Sequence, residues 1–134
     1  MAAQGAVLRA LTGEDTVLRA LLRRGELTDP RTAFLIRASE RDTGLSVNYD
    51  MTPDQCRAQG VFKSTYGVRS LPVASITALN LEVVPDDPNH ANIRGIPHTD
   101  DNPALAEFLA GQLLSASTLE SDGLVKNPPP QAEP

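Results

Sequence analysis

The chain has no tryptophan, one cysteine, two histidines, three phenylalanines and two tyrosines among its 134 residues. Each scarcity removes a class of function. A lone Cys56 excludes an internal disulfide and a multi-cysteine zinc site. Aromatic residues make up 4% of the chain, too few for the stacking platforms that hold single-stranded bases, and the core must be aliphatic. No apolar run approaches the length that a bilayer span needs. The opening MAAQGAVLRALTGEDTVLRALLRRG has arginines inside its apolar stretches, so no signal peptide is read. A glycine-rich phosphate loop, a G-x-S-x-G elbow and a paired-cysteine knuckle are all missing. The expectation is a soluble protein of a reducing cytoplasm, with no cofactor, no metal ion and no membrane contact.

Charge is unevenly spread. Residues 1–70 hold ten Lys/Arg against eight acids, and residues 71–134 hold two against nine, so a slightly basic first half precedes an acidic second half. Duplex nucleic-acid binders concentrate a basic field, which this chain lacks, so a nucleic-acid partner is not expected.

Periodicity predicts an α+β fold: a single domain over 1–118 and a disordered proline-rich tail over 119–134. One mixed sheet of about four to five strands is expected, packed by an N-terminal and a C-terminal helix. VLRAL occurs twice, at Val7–Leu11 and Val17–Leu21. Ten helical residues fall about 80° short of whole turns, so the copies do not share a stripe. A short first helix is expected, then a better one from Glu14 to Arg24, stopped by Gly25, with Val17, Leu18, Leu21 and Leu22 inward and Arg19 and Arg23 together outside. Strands are expected at Ala33–Ala38, Leu45–Asn48, Tyr66–Arg69, Leu81–Val84 and Ala91–Ile96, from apolar–polar alternation. Thr52-Pro53-Asp54-Gln55 reads as a capping box, closed by Gly60. Asn80 reads as a left-handed stop after a short helix begun near Pro72. Asn102 caps a helix from Pro103 to Ser117, with Leu105, Phe108, Leu109, Leu113 and Ala116 on its core face and Leu114 opposite.

VVPDDPNHANIRGIPHTDDNP, Val83 to Pro103, holds both histidines and four aspartates. An extended segment would separate His90 from His98 by roughly 26 Å, too far for one metal ion. Two turns around a strand account for most of these acids: PDDPNH as an Asx- and proline-rich turn, PHTDDNP as a helix start. His90, with Asp86 or Asp87, is the better catalytic candidate. Cys56 has no base nearby in sequence and reads as a buried thiol. Arg37, Ser46 and Glu82 are residue types that an ADP-ribosyl-transfer site uses, at spacings that any solvent-facing strand could show.

TGLSVN, YGVRSL, LEVVPDDPNHANIRGIP and the alanine-rich last helix resemble a group of small uncharacterised bacterial proteins. These share an LSV strand, a YGV strand and an H-A-x-I-x-G-I/L-P segment. The resemblance spans about Phe34 to Ser117 and implies a bacterial protein; it carries no activity and so no site.

The first functional expectation is a non-enzymatic module that binds another protein, one component of a two-gene cassette, with Leu114 on the outer side of the last helix as a contact. The alternative is a small hydrolase or nuclease using His90 with Asp86 or Asp87. A third, RNA binding through Arg19 and Arg23, ranks below both because of the net acidity.

Overall fold

The computed structural model describes residues 8–59 and 62–127. Six strands form one sheet: β1 (Thr16–Leu21), β2 (Leu45–Asn48), β3 (Ser64–Pro72), β4 (Glu82–Asp87), β5 (His90–Arg94) and β6 (Thr118–Lys126). Their order is β4-β5-β2-β1-β3-β6, and every pairing is antiparallel, so the sheet is not mixed and exceeds the expected strand count. The helices are α1 (Gly25–Thr28), α2 (Pro53–Arg57), α3 (Val73–Thr77) and α4 (Pro103–Ala116), with 3-10 turns at Pro30–Phe34 and Ala38–Glu40. The fold is α+β.

Three expectations are corrected. The N-terminal helix over Glu14–Arg24 is instead strand β1, in the middle of the sheet. It is buried on both faces, Val17 and Leu21 toward the main core and Leu18 and Ala20 toward the opposite cluster. A strand covered on both sides loses its alternation and reads like a helix. Gly25 begins α1 rather than ending a helix. The earlier short helix falls partly outside the described residues, and Leu8–Thr12 form none. The strand expected at Ala33–Ala38 is a run of tight turns that carries Ala33, Phe34 and Ile36 into the core. The tail is ordered over Thr118–Lys126, where β6 pairs with β3 along its length; residues 128–134 lie outside the described set. Gly60, the expected end of α2, also lies outside it.

One face of the sheet packs against the Pro30–Phe34 turn, α3 and α4, around Leu45, Val47, Leu71, Ile93 and Leu113. Among the described residues the other is covered by α2, with Leu22, Met51 and Phe62, over the small cluster Leu18, Ala20, Cys56 and Val68. That partial cover leaves the β2–β5–β4 end of the second face open. Both sheet edges resist further pairing. Pro85 and a register break interrupt β4, while two breaks and the charges of Glu120, Asp122 and Lys126 interrupt β6.

The sheet also splits internally. β1 and β2 pair only at Leu18 and Asn48. Continuing that register would set Ala20 opposite Ser46, but charged side chains fill the gap. Glu40 accepts from the Ser46 N–H (3.0 Å), and Arg19 donates to the Ser46 carbonyl (2.9 Å) and pairs with Glu40 (2.5 Å). Arg37 donates to the Ala20 carbonyl (3.1 Å) and to Glu26 (2.9 Å), and Glu26 accepts from the Leu22 N–H (2.8 Å). These four side chains satisfy the backbone groups that a continuous ladder would have paired.

Candidate active site

The site forms where the β4–β5 hairpin meets β2. Leu45, Val47, Ala91 and Ile93 point to the main core, so their neighbours Ser46, Asn48, His90 and Asn92 face the other side. Ser46 sits opposite Asn92, and Asn48 opposite His90, which makes Ser46 and His90 diagonal neighbours. Gly44 leads into β2 at φ +116°, where a Cβ would lie 2.6 Å from the Ile93 carbonyl, so only glycine brings the chain in at this point. The hairpin is locked at its tip. Asn89, left-handed at φ 74°, donates to the carbonyls of Tyr49 (3.0 Å) and Asp50 (3.1 Å) and accepts from Asn48 (3.0 Å). The register break between Pro85 and Asp87 leaves Asp86 outside the regular ladder, where it reaches His90 and Asn92.

A chain of hydrogen bonds results. Ser46 Oγ lies 2.6 Å from His90 Nε2, and His90 Nδ1 lies 2.5 Å from Asp86 Oδ1. Asn92 Nδ2 donates to Asp86 Oδ2 (2.9 Å). Partial burial pushes the Asp86 carboxyl up, but the bonds from His90 and Asn92 outweigh it and hold it below the usual carboxylate range. A charged Asp86 selects the tautomer with the proton on Nδ1 and leaves the Nε2 lone pair facing the serine hydroxyl. The His90 and Asp86 side chains are 32% and 47% exposed, so the chain opens to solvent. It lies in a cleft of about 370 Å³ whose wall includes Leu22, Arg37, Ser39, Thr43 and Phe62.

Below Ser46 the Arg19–Glu40 pair is closed off. Burial would raise the Glu40 carboxyl, yet Arg19 and the N–H groups of Arg37 and Ser46 hold it below the usual glutamate range. Burial, with help from Arg37, lowers the Arg19 guanidinium against the pull of Glu40. Ser46 is therefore held by its backbone on one side and presents its hydroxyl on the other. Its N–H is committed to Glu40, so among the described residues the neutral groups on the cleft wall that can donate to a developing oxyanion are the hydroxyls of Ser39 and Thr43 and the second amide hydrogen of Asn92.

The structure separates the other candidate residues. Asp87 stands outside the cleft; its carbonyl accepts from the Tyr49 hydroxyl (3.1 Å). His98 accepts from the Asp100 N–H (3.0 Å) in the turn before α4. Arg19 is 1% exposed and cannot form an outer face with Arg23, which is exposed beside a separate cleft with Thr32 and Leu35. Leu114 packs against the main core, while Leu105 and Phe108, expected in the core, are exposed. Glu82 begins β4 opposite Arg94, away from Arg37 and Ser46, so the three do not form one site. Cys56 is fully buried, and burial pushes its thiol up to about 11. Among the described residues no group of three or more His, Cys, Asp or Glu side chains is placed to hold a metal ion. No helix among them is long and apolar enough to cross a membrane.

Ser46 and Asn92 were the residues missed as partners of His90. The alternation of LSVN and HAN puts all three on polar strand faces, but only strand pairing shows that those faces coincide. No known protein family, curated protein or solved structure matches this chain.

Proposed function

We propose that this protein is a small hydrolase of carbonyl substrates, esters or thioesters, with Ser46 as nucleophile. The supporting observation is the Ser46–His90–Asp86 hydrogen-bond chain opening into a cleft. Ser46 Oγ adds to the substrate carbonyl while its proton passes to His90 Nε2. The tetrahedral adduct then expels the leaving group, which takes that proton from His90. Water attacks the acyl-serine, loses a proton to His90, and releases the acid as the proton returns to Ser46 Oγ. Asp86 holds the ring and its tautomer throughout, and Asn92 holds Asp86.

Charge favours a carbonyl over a phosphodiester, the substrate of the nuclease alternative. Arg19 and Arg37 are cancelled by Glu26 and Glu40, and Asp86 leaves the immediate site negative when His90 is neutral. An anionic substrate would be repelled and would lack a free cation at the transferred group. Turnover of p-nitrophenyl acetate by the wild type, with loss of roughly 10²–10⁴-fold in His90→Ala, is the expected result. Labelling of Ser46 by a fluorophosphonate should disappear in Ser46→Ala. Turnover undiminished in both variants would overturn the reading.

A second reading, a module that binds another protein, draws on Leu105 and Phe108, which are 42% and 57% exposed one turn apart on α4. It replaces Leu114 as the expected contact. This reading gains ground if Phe108→Ser abolishes a stoichiometric complex with a defined partner while Ser46→Ala changes no ester turnover.

A further inference from the structure

Resting on the hydrolase reading, we propose that the substrate carries an aliphatic acyl group, which lies across Leu22 and Phe62. These two side chains line the Ser46 cleft and also a neighbouring cleft of about 350 Å³, which among the described residues is otherwise walled by Lys63 and Ser64. The two hollows therefore share an apolar floor that starts beside the nucleophile. Leu22 and Phe62 are half-buried and rest on the Leu18–Ala20–Cys56–Val68 cluster, so the floor is backed by packed side chains. Leu22 is further fixed by its N–H bond to Glu26.

The two directions away from Ser46 differ in chemistry. Toward β4 the wall is polar: His90, Asp86 and Asn92. Toward β3 it is Leu22 and Phe62, ending at the exposed Lys63. A tetrahedral centre at Ser46 Oγ must keep its leaving oxygen or sulfur within reach of His90 Nε2, because that nitrogen returns the proton. The leaving group then takes the polar side, and the acyl chain takes the apolar one. Removing an aliphatic chain from water along this floor gives the cleft chain-length selectivity.

The test measures kcat/KM for p-nitrophenyl acetate, butyrate, hexanoate and octanoate, together with chemical-shift changes of Leu22 and Phe62 on titrating octanamide, with acetamide as control. Expected is a rise of roughly threefold per added methylene over the first members of the series. That slope should flatten in Phe62→Ala and in the milder Leu22→Thr, and octanamide but not acetamide should shift both residues. Equal rates along the series with no octanamide response would overturn the acyl site and leave the hydrolase reading standing. Octanamide shifts without hydrolysis of any ester would do the reverse, keeping the apolar site and removing the Ser46 chemistry. Neither hydrolysis nor binding would overturn both.

Discussion

Two sets of polar side chains meet at Ser46, and they differ chiefly in access to water. On the backbone side, Arg19, Glu40 and Glu26 are buried and Arg37 is partly buried, and all four are paired and bonded to main-chain groups. On the hydroxyl side, His90 and Asp86 are bonded to each other but about a third to a half exposed. A buried ion pair that satisfies all its partners has nothing left to exchange with a substrate; breaking it leaves an uncompensated charge. A half-open hydrogen-bond chain costs little to disturb, and its proton can move. The first arrangement positions and the second can react.

The difference can be tested by asking which property each set controls. Ser46→Ala and His90→Ala should each remove ester turnover by roughly 10²–10⁴-fold while changing unfolding free energy by only about 1–2 kcal/mol, since one partly exposed hydrogen bond is lost with Ser46 and two with His90. Comparable losses of stability would place these residues with the structural set. Glu40→Ala should do the opposite in denaturant titration, costing roughly 3–5 kcal/mol because Arg19 is left buried without its partner. A cost near zero would show that the pair is dispensable and that β1 and β2 can close the gap alone.

Ending the chain at Ser117 should lower stability by several kcal/mol, from roughly 1 kcal/mol per lost hydrogen bond. It removes β6 from β3 and strips Arg57 of Ser121 Oγ and of the carbonyls of Asp122 and Gly123. An unchanged melting temperature would return this segment to the status of a tail.

The smallest effect is on pH dependence. Glu40 is held below its ordinary value in the folded state, so it contributes stability that is present above that ordinary value and lost as pH falls through the lowered folded one. Asp15, brought down to about 2 by Arg9 and the Thr12 N–H, acts in the same direction from an exposed position. Unfolding midpoints measured from neutral to acid pH should fall, and the fall should be shallower in Glu40→Gln. An equally steep fall in that variant would assign the acid sensitivity to other carboxylates.

Local chemistry was legible wherever one short stretch decides it. The Thr52 and Gln55 capping box, Asn80 at φ 63° and the Asn102 cap ahead of Pro103 all form from neighbours in sequence. The alternation of Leu45–Asn48 was equally plain, because one side of that strand is core and the other polar. TVLRAL was misleading for the converse reason: both its faces are buried, so helix and central strand demand the same residues. The outer turn of α4 misled through composition, since Leu105 and Phe108 carry core residue types at exposed positions.

What the sequence determined by itself was therefore the inventory: an aliphatic core, a single thiol, caps and turns at named positions, and a histidine flanked by aspartates at the end of a strand. Which residues meet was decided by tertiary structure alone. Ser46 lies 44 residues before His90, and Arg19 lies 21 before Glu40. Neither separation has a local signature, because strand order is set by how apolar faces bury against one another and the gap between β1 and β2 is filled by Arg19 and by charged side chains from distant turns. Those same contacts chose between a buried Arg19 that positions and an exposed one that binds, a choice that residue type alone leaves open.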